Sequence, residues 1–317
     1  MPRQPDISVL VVNWNTADLL PQCLSSVVHQ AHEVDLELVV VDNASTDGSA
    51  DLVQRQFPQA HLVANRHNRG FAAANNQAMA QAHGRIFFLL NSDAYLRPGA
   101  LRALRDFMDE HPEAAVVGAK VLNPDGSLQP SCFRFPTAWD VFCEMFFLTA
   151  LFPQSPVFNR RGLGGFDRRT TRPVDWVLGA AMAVRAEWAA GSGGLDEGYF
   201  IYVEEMDWCR RIGQAGGPVV FFPGAEVVHH GGVSRGRARA VILPRAFASR
   251  FRYYQRFHGP GYARLVRGLT LAGMIPRWAV SALAAAWGGA PPQREAQQAY
   301  AAVCQVAWRG RYEEELK

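Results

Sequence analysis

"GRIFFLLNSDAYLRP", residues 84–98, passes from an unbroken apolar run into Asn91, Ser92 and Asp93. The apolar run reads as a strand buried on both faces, as in the interior of a parallel sheet. The carboxylate at its mouth needs a reason, because a desolvated charge is costly unless something pairs with it. Asp93 either caps a helix that starts near Pro98, by accepting from its free N–H groups, or it is an oxygen ligand for a divalent cation.

Working outward, strands and helices alternate on both sides of this stretch. "ISVLVVNW" (7–14), "LELVVVD" (36–42) and "AHLVAN" (60–65) read as strands. Between them lie helical patterns: "TADLLPQCLSSVVHQ", with Thr16 as N-cap, and "STDGSADLVQRQF". "GFAAANNQAMAQAHG" (70–84) reads as an alanine-rich helix closed by Gly84. Downstream, "PGALRALRDFMDEHP" reads as a helix and "AAVVGAKV" as a further strand. The pattern predicts an α/β fold with a parallel, Rossmann-like sheet flanked by helices and joined by right-handed crossovers. Residues 123–172 carry turn signals and aromatics, and are expected to be loops over a cleft. Beyond them come a strand with a turn ("VDWVLGAAMAV"), a helix ("IYVEEMDWCRRIGQAG") and a strand ("PVVFFP").

With 317 residues, 49% apolar and 19% charged, the chain can bury the core of one large α/β domain or two smaller ones. The expected division is a catalytic domain over 1–232 and a basic helical region over 233–317. The first would have a donor half near 6–122 and an acceptor half near 123–232. Five scattered cysteines without a CxxC pair argue for reduced thiols and against a cysteine zinc site. No basic region leads into an apolar run at the start, so a cytoplasmic location is expected. Between Glu226 and Glu295 there are eleven arginines and no Asp or Glu, leaving 21 basic against 29 acidic residues elsewhere. Such a segment suits an anionic lipid surface, nucleic acid or a phosphorylated substrate. Nucleic acid is the weaker option and would require steep salt dependence. Residues 268–290 are almost long enough to span a bilayer, but Pro276 and Arg277 interrupt them. They are read as helices packed on the domain or lying at a membrane surface.

Polar residues collect at the carboxyl ends of the strands, where open parallel sheets bind ligands. They are Asn13 and Asn15, then Asp42 and Asn43, then Asn65 to Phe71, then Asn91, Ser92 and Asp93. The turn after the first strand has no G-x-G-x-x-G, and no P-loop motif occurs. Side chains must therefore hold the ligand. Asp42 can accept from a base N–H or a ribose hydroxyl. Arg66 and Arg69 are the nearby cations, few for a diphosphate, and Mg²⁺ or Mn²⁺ on Asp93 would supply the remaining charge. His229 or His230 is the candidate second ligand. Glu204, Glu205 and Asp207 crowd three carboxylates into four positions, which raises their pKa values and favours a general base. The plainer reading is an acid-rich helix start with Asp207 paired to Arg210 or Arg211.

In order, "SVLVVNWN", "VVVDNASTDGS", "NRGFAAANNQA", "FLLNSD", "DWVLGAAMAVR", "GGLDEGYFIYVEEMDWCRR" and "PGAEVVHHGGVS" resemble the family-2 inverting glycosyltransferases, in their rhamnosyltransferase-like branch. The resemblance spans about residues 6–260. It implies a GT-A fold, a nucleotide-sugar donor and a divalent metal. By position, Asp42 would contact the base, and Asn68, Gly70, Phe71 and Asn76 would line the nucleotide and sugar. "NSD" would stand for the family's D-x-D, with Asp93 as metal ligand and Asn91 in place of the first acid. His229 falls where relatives place a metal-binding histidine. Glu205 takes the place of the catalytic base, one methylene longer than the usual aspartate, with Glu204 and Asp207 as alternatives. Trp176 and Gly179 would lie near the acceptor entrance. The implied reaction transfers L-rhamnose from dTDP-L-rhamnose to a glycan or lipid-linked acceptor at the inner membrane face. UDP-galactofuranose is the alternative donor, and a sugar-nucleotide-binding module without activity is the alternative role.

Overall fold

The computed structural model describes residues 4–231, 239–287 and 291–310, and the chain divides into two compact units. The first comprises Met1–Phe133, Asp167–Glu197 and Glu204–Gly231. It opens with β1 (Ile7–Asn13), α1 (Leu20–Val28), β2 (Leu36–Asp42), α2 (Ser49–Gln56) and β3 (His61–Ala64). There follow α3 (Phe71–Met79), β4 (Ile86–Asn91), β5 (Ala94–Leu96), α4 (Ala100–Glu110) and β6 (Val116–Leu122). Short strands β7 (Leu128–Gln129) and β8 (Cys132–Phe133) close this stretch.

Next in the chain, α5 (Ala138–Met145) and α6 (Leu148–Leu151) belong to the second unit. The first resumes with β9 (Arg172–Pro173), β10 (Trp176–Val177), β11 (Ala181–Arg185), α7 (Ala186–Gly191), α8 (Glu204–Gln214) and β12 (Val219–His229). Its main sheet runs β3-β2-β1-β4-β11-β6-β12-β5, and β8 pairs separately with β10. Strands β3, β2, β1 and β4 are parallel, with Asn13 opposite Asp42 and Val12 opposite Asn91. The sheet is not wholly parallel as expected, because β11 enters antiparallel to both β4 and β6. That reversal follows from the chain's route: β11 is reached through the short β10 and a turn, not through a crossover helix.

Continuous apolar runs put β1, β4 and β6 in the core, where Val9, Leu10, Phe88, Leu89 and Val117 are buried. Each such side chain contributes roughly 1.5–3 kcal/mol by leaving water. Gly84 does not close α3, which ends at Met79. Instead Gly84 lies against the Ser8 backbone, where a Cβ would come within 2.6 Å of the Ser8 nitrogen. Thr16 is not a side-chain cap either. Its hydroxyl donates within the strand-end cluster and α1 begins only at Leu20.

The second unit comprises Arg134–Phe166, Gly198–Val203 and Gly232–Lys317. Here the expectation of loops over 123–172 gives way to α5 and α6, with α5 started by a capping box between Thr137 and Asp140. The C-terminal part is α9 (Arg239–Ala286), broken at Gly259 (φ 83°), and α10 (Pro291–Arg309). Residues 233–238, which open the expected basic region, lie outside the described residues. Arg267 ties α9 to α10 by donating to the carbonyls of Ala307 (2.6 Å) and Trp308 (2.9 Å). Burial pushes the Glu144 carboxyl up, but Arg250 and Arg161 outweigh it and hold that carboxyl at about 2. Among the described residues, one helix is long and apolar enough to cross a membrane, over Ile242–Ala285.

Candidate active site in the first unit

The switch point of the parallel strands lies between β1 and β4, and sheets of this kind bind ligands at the carboxyl ends there. Asn13 and Asp42 face each other there, with Asn13 Nδ2 donating to Asp42 Oδ1 at 2.8 Å and to Ser45 Oγ at 3.0 Å. Ser45 N–H donates to the other Asp42 oxygen, at 3.0 Å. The Thr16 hydroxyl joins Asn13 to Ser92, at 2.5 and 2.9 Å. Asn15, in the left-handed region at φ 55°, accepts from the Thr46 N–H at 2.8 Å. Beside them, Asn43 donates to Asn68 Oδ1 (2.9 Å) and to the Gly70 carbonyl (3.2 Å), and accepts from the Arg69 N–H. Asn68 Oδ1 accepts from the Gly70 N–H at 2.9 Å, which fixes the positive-φ turn that starts α3. The strand-end residues thus form one preorganised polar floor. Asn76 lies apart from it. Its amide bonds the Leu195 backbone and Glu197, so its polar atoms are spent within the protein.

Asp93 does not cap α4, whose N-cap is Gly99. Its carboxylate faces His229, with Oδ1 3.1 Å from Nε2. His230, just past the end of β12, points elsewhere, its ring 6.1 Å from that of Tyr95. Gln129 sets the state of His229. The Gln129 amide nitrogen donates to Asn123 Oδ1 (2.8 Å) and to the His229 carbonyl (3.3 Å), so its oxygen is the end that meets His229 Nδ1 at 2.6 Å. Nδ1 is therefore a donor to Gln129, and Nε2 is the ring nitrogen turned to Asp93. Asn91 Nδ2 is 3.3 Å from the same Nε2. A carboxylate and a ring nitrogen held this close suit a shared cation, and a ring nitrogen buttressed through its partner is the usual second shell of a metal-binding histidine. The donor set fits Mg²⁺ or Mn²⁺, which take few protein ligands and complete their shell with water or phosphate. Among the described residues, no three His, Cys, Asp or Glu side chains gather to hold a metal by themselves. Gln129 was not legible as a site residue, since it lies 100 positions from His229 and in no motif.

The acid triplet begins α8, directly after two left-handed residues, Tyr202 (φ 65°) and Val203 (φ 78°). A β-branched residue rarely adopts that backbone, and such strain gathers at functional sites. Asp207 is fully buried and is the i, i+4 partner of Arg211, at 2.6 Å. Arg211 also donates to the carbonyls of Ser192 and Gly194. Burial pushes the Glu204 carboxyl up, and the neighbouring Glu205 charge adds to it. Burial likewise lifts Glu205 to about 7, against N–H donors from Gly179 and from the first turn of α8. One carboxylate oxygen of each, Oε2, is buried without a hydrogen-bond partner. Gly179 brings the two halves of the unit together: a Cβ there would sit 3.5 Å from Glu205 Cβ and 3.6 Å from Phe71 Cε1. Phe71 opens α3, so the acid stands beside the loop that leads into α3. Trp176, on the strand against which α8 packs, stacks on Phe133 at 4.4 Å.

Residues 8–133 match the family described as Glycosyl transferase family 2. Over 283 residues the chain is 29% identical to the N-acetylglucosaminyl-diphospho-decaprenol L-rhamnosyltransferase of Mycobacterium tuberculosis, covering 85% of this chain and 90% of that one. Among solved structures it is similar to the mannosyltransferase PcManGT of Pyrobaculum calidifontis, in complex with GDP-Man and Mn²⁺. That match has a TM-score of 0.54 and 21% identity, and covers 98% of this chain and 89% of that one. It is also similar to GalNAc-T7 with UDP, GalNAc and Mn²⁺, with a TM-score of 0.53 and 17% identity over 72% of this chain and 44% of that one. The sheet with its flanking helices is a GT-A glycosyltransferase fold. Residues 8–133 are a family 2 glycosyltransferase domain, and over most of its length the chain is similar to a rhamnosyltransferase.

Proposed function

We propose that this chain is an inverting, metal-dependent glycosyltransferase that moves L-rhamnose from dTDP-L-rhamnose to a hydroxyl of a lipid-linked or growing cell-surface glycan. The observation that carries this reading is the meeting of Glu205, Gly179 and Phe71, which sets a buried acid with an unpartnered oxygen beside the donor-side loop. The similarity to a rhamnosyltransferase over most of both chains supports the choice of sugar and of a diphospho-lipid acceptor.

The residues divide the work as follows. Asp42, Asn13 and Asn43 bind the nucleoside, with Asn68, Gly70 and Phe71 beside it. Asp93 and His229 would hold the cation, assisted by Asn91, and a bound cation neutralises the charge gathering on the departing diphosphate. Glu205 Oε2 accepts the proton of the acceptor hydroxyl. The acceptor oxygen bonds the anomeric carbon on the face opposite the diphosphate. The bond from that carbon to the phosphate oxygen breaks, and its electron pair leaves with the diphosphate. A single displacement inverts the centre. Trp176 and Gly179 border the acceptor side. The acid-free arginine segment supports a peripheral position on the cytoplasmic face of a membrane, where such an acceptor resides.

A panel of dTDP- and UDP-sugars with Mg²⁺ or Mn²⁺, read by thermal shift and release of nucleoside diphosphate, tests the reading. Stabilisation and slow hydrolysis with dTDP-L-rhamnose alone is the expected result. A response to UDP-galactofuranose instead would replace the donor. Binding of a donor without any turnover, acceptor glycan included, would replace the enzyme by a binding module.

A further inference from the structure

The second unit exposes an unusual amount of apolar surface. In and after the helices α5 and α6, Trp139, Phe146, Phe147, Leu151, Phe152 and Val157 are each 43–67% exposed. Their rings form a continuous aromatic patch with partly buried neighbours: Trp139 stacks on Phe142, Phe142 meets Phe146 at 4.7 Å, and Phe152 meets Phe158 at 5.2 Å. The patch continues onto α9, since the Arg277 guanidinium lies over the Phe147 ring at 4.0 Å and Gly273 abuts Met145. One face of α9 is buried through Ala263, Val266 and Met274, while Leu265, Ile275 and Leu283 are half or more exposed on the opposite side. Contiguous patches of this kind mark an interaction site.

Charge identifies the occupant. The segment from Val227 to Arg294 holds no Asp or Glu, and Arg256 and Arg264 are exposed on α9. The two acids of α5 are neutralised internally: Asp140 pairs with Arg160 at 2.5 Å and Glu144 with Arg250 at 2.9 Å. An aromatic and aliphatic surface beside exposed arginines, in a segment without acids, is the pattern of a protein lying in the interface of an anionic bilayer, with rings at headgroup depth. A crossing is disfavoured. Thr270 and Met274 are already covered, and α9 carries α10, with its Arg294 and Glu295, along its side.

We infer that the α5–α6 segment and the exposed side of α9 form a docking surface for an anionic phospholipid bilayer, entered from one side without a crossing. The inference rests on the peripheral position proposed above and names the surface responsible.

The test is co-sedimentation of the purified full chain with preformed vesicles of phosphatidylcholine, with and without phosphatidylglycerol. Wild type is expected to bind the phosphatidylglycerol vesicles, less well as salt screens the arginines. The Leu151→Glu/Val157→Glu variant should bind about tenfold more weakly or worse. A Gln54→Glu/Gln59→Glu control, which adds the same charge to exposed positions of the first unit, should bind as wild type. Wild-type failure to bind, or equal binding by the Leu151→Glu/Val157→Glu variant, overturns the inference. So does a dimer in analytical ultracentrifugation that this variant dissociates, because a second copy would then cover the patch. Circular dichroism confirms that each variant folds. Release of nucleoside diphosphate, measured on the same preparations without vesicles, should be equal in wild type and variant. Its absence from both would count against sugar transfer while leaving the vesicle result standing.

Discussion

His229 Nε2 lies 3.1 Å from Asp93 Oδ1, and the nitrogen on the far side of the ring is held at 2.6 Å by Gln129. The pair joins the end of β12 to the residue just before β5, its antiparallel neighbour, so the pairing of these two strands builds the proposed cation site. Replacing Gln129 by Ala should leave the fold intact and weaken Mn²⁺ binding about 10–100-fold, the usual cost of losing a second-shell partner. Calorimetry of Mn²⁺ in the presence of nucleoside diphosphate measures this directly. Unchanged affinity would show that His229 needs no such support.

Asp93→Ala should abolish the Mn²⁺-dependent part of donor binding. Titration of dTDP with and without Mn²⁺ is the check. In the variant the two affinities should coincide.

Glu205→Gln should keep donor binding and lower turnover about 10²–10⁴-fold, the range of a lost general base. Near-normal rates in that variant would move the role to Glu204, since Asp207 is committed to Arg211.

The pH behaviour follows from the same carboxyl. In the folded chain Glu205 holds its proton up to about 7, against an ordinary value of 4.5. As a base it works only after losing that proton, so kcat/KM should rise with pH through about 7. Stability should move the other way. Between these two values the folded state binds the extra proton, and its contribution is lost as pH rises across that window. Melting curves from pH 4 to 8, in wild type and Glu205→Gln, should show a shallower decline in the variant, which keeps only the raised carboxyl of Glu204.

Two glycines should separate packing from chemistry. A Cβ on Gly118 collides with the Val177 side chain, so Gly118→Ala should cost about 1–3 kcal/mol in a denaturant titration. Gly179→Ala makes only ordinary contacts with Glu205 and Phe71, so it should melt near wild type while changing turnover.

Continuous apolar runs make β1, β2 and β4 legible, and with them the strand ends that carry Asn13, Asp42 and Asn91. Local pattern could not show that β11 would slip antiparallel between β4 and β6, because that pairing is decided by the route of a chain segment about 90 residues downstream. The helices α5 and α6 are only eight and four residues long, and the exposed Phe146 and Phe147 lie in the break between them, so the stretch reads as loop. Gln129 illustrates the same limit within the site. Its partners are Asn123 and His229, and only the folded sheet sets β7 beside the end of β12. The roles of Glu204 and Glu205 were open in the sequence for a related reason: adjacent identical side chains differ only in what surrounds them.

The insertion of β11 has a bearing on how the chain can be cut. Residues 8–133, the stretch that carries the family's sequence signature, include β1 to β8 but not β11. Without that strand, β4 and β6 lose the partner that joins them, and each shows a raw apolar margin to solvent. The recognisable module is therefore not an autonomous folding piece. Expressed alone, it should collect in inclusion bodies, whereas the full chain, which supplies β11, should stay in solution.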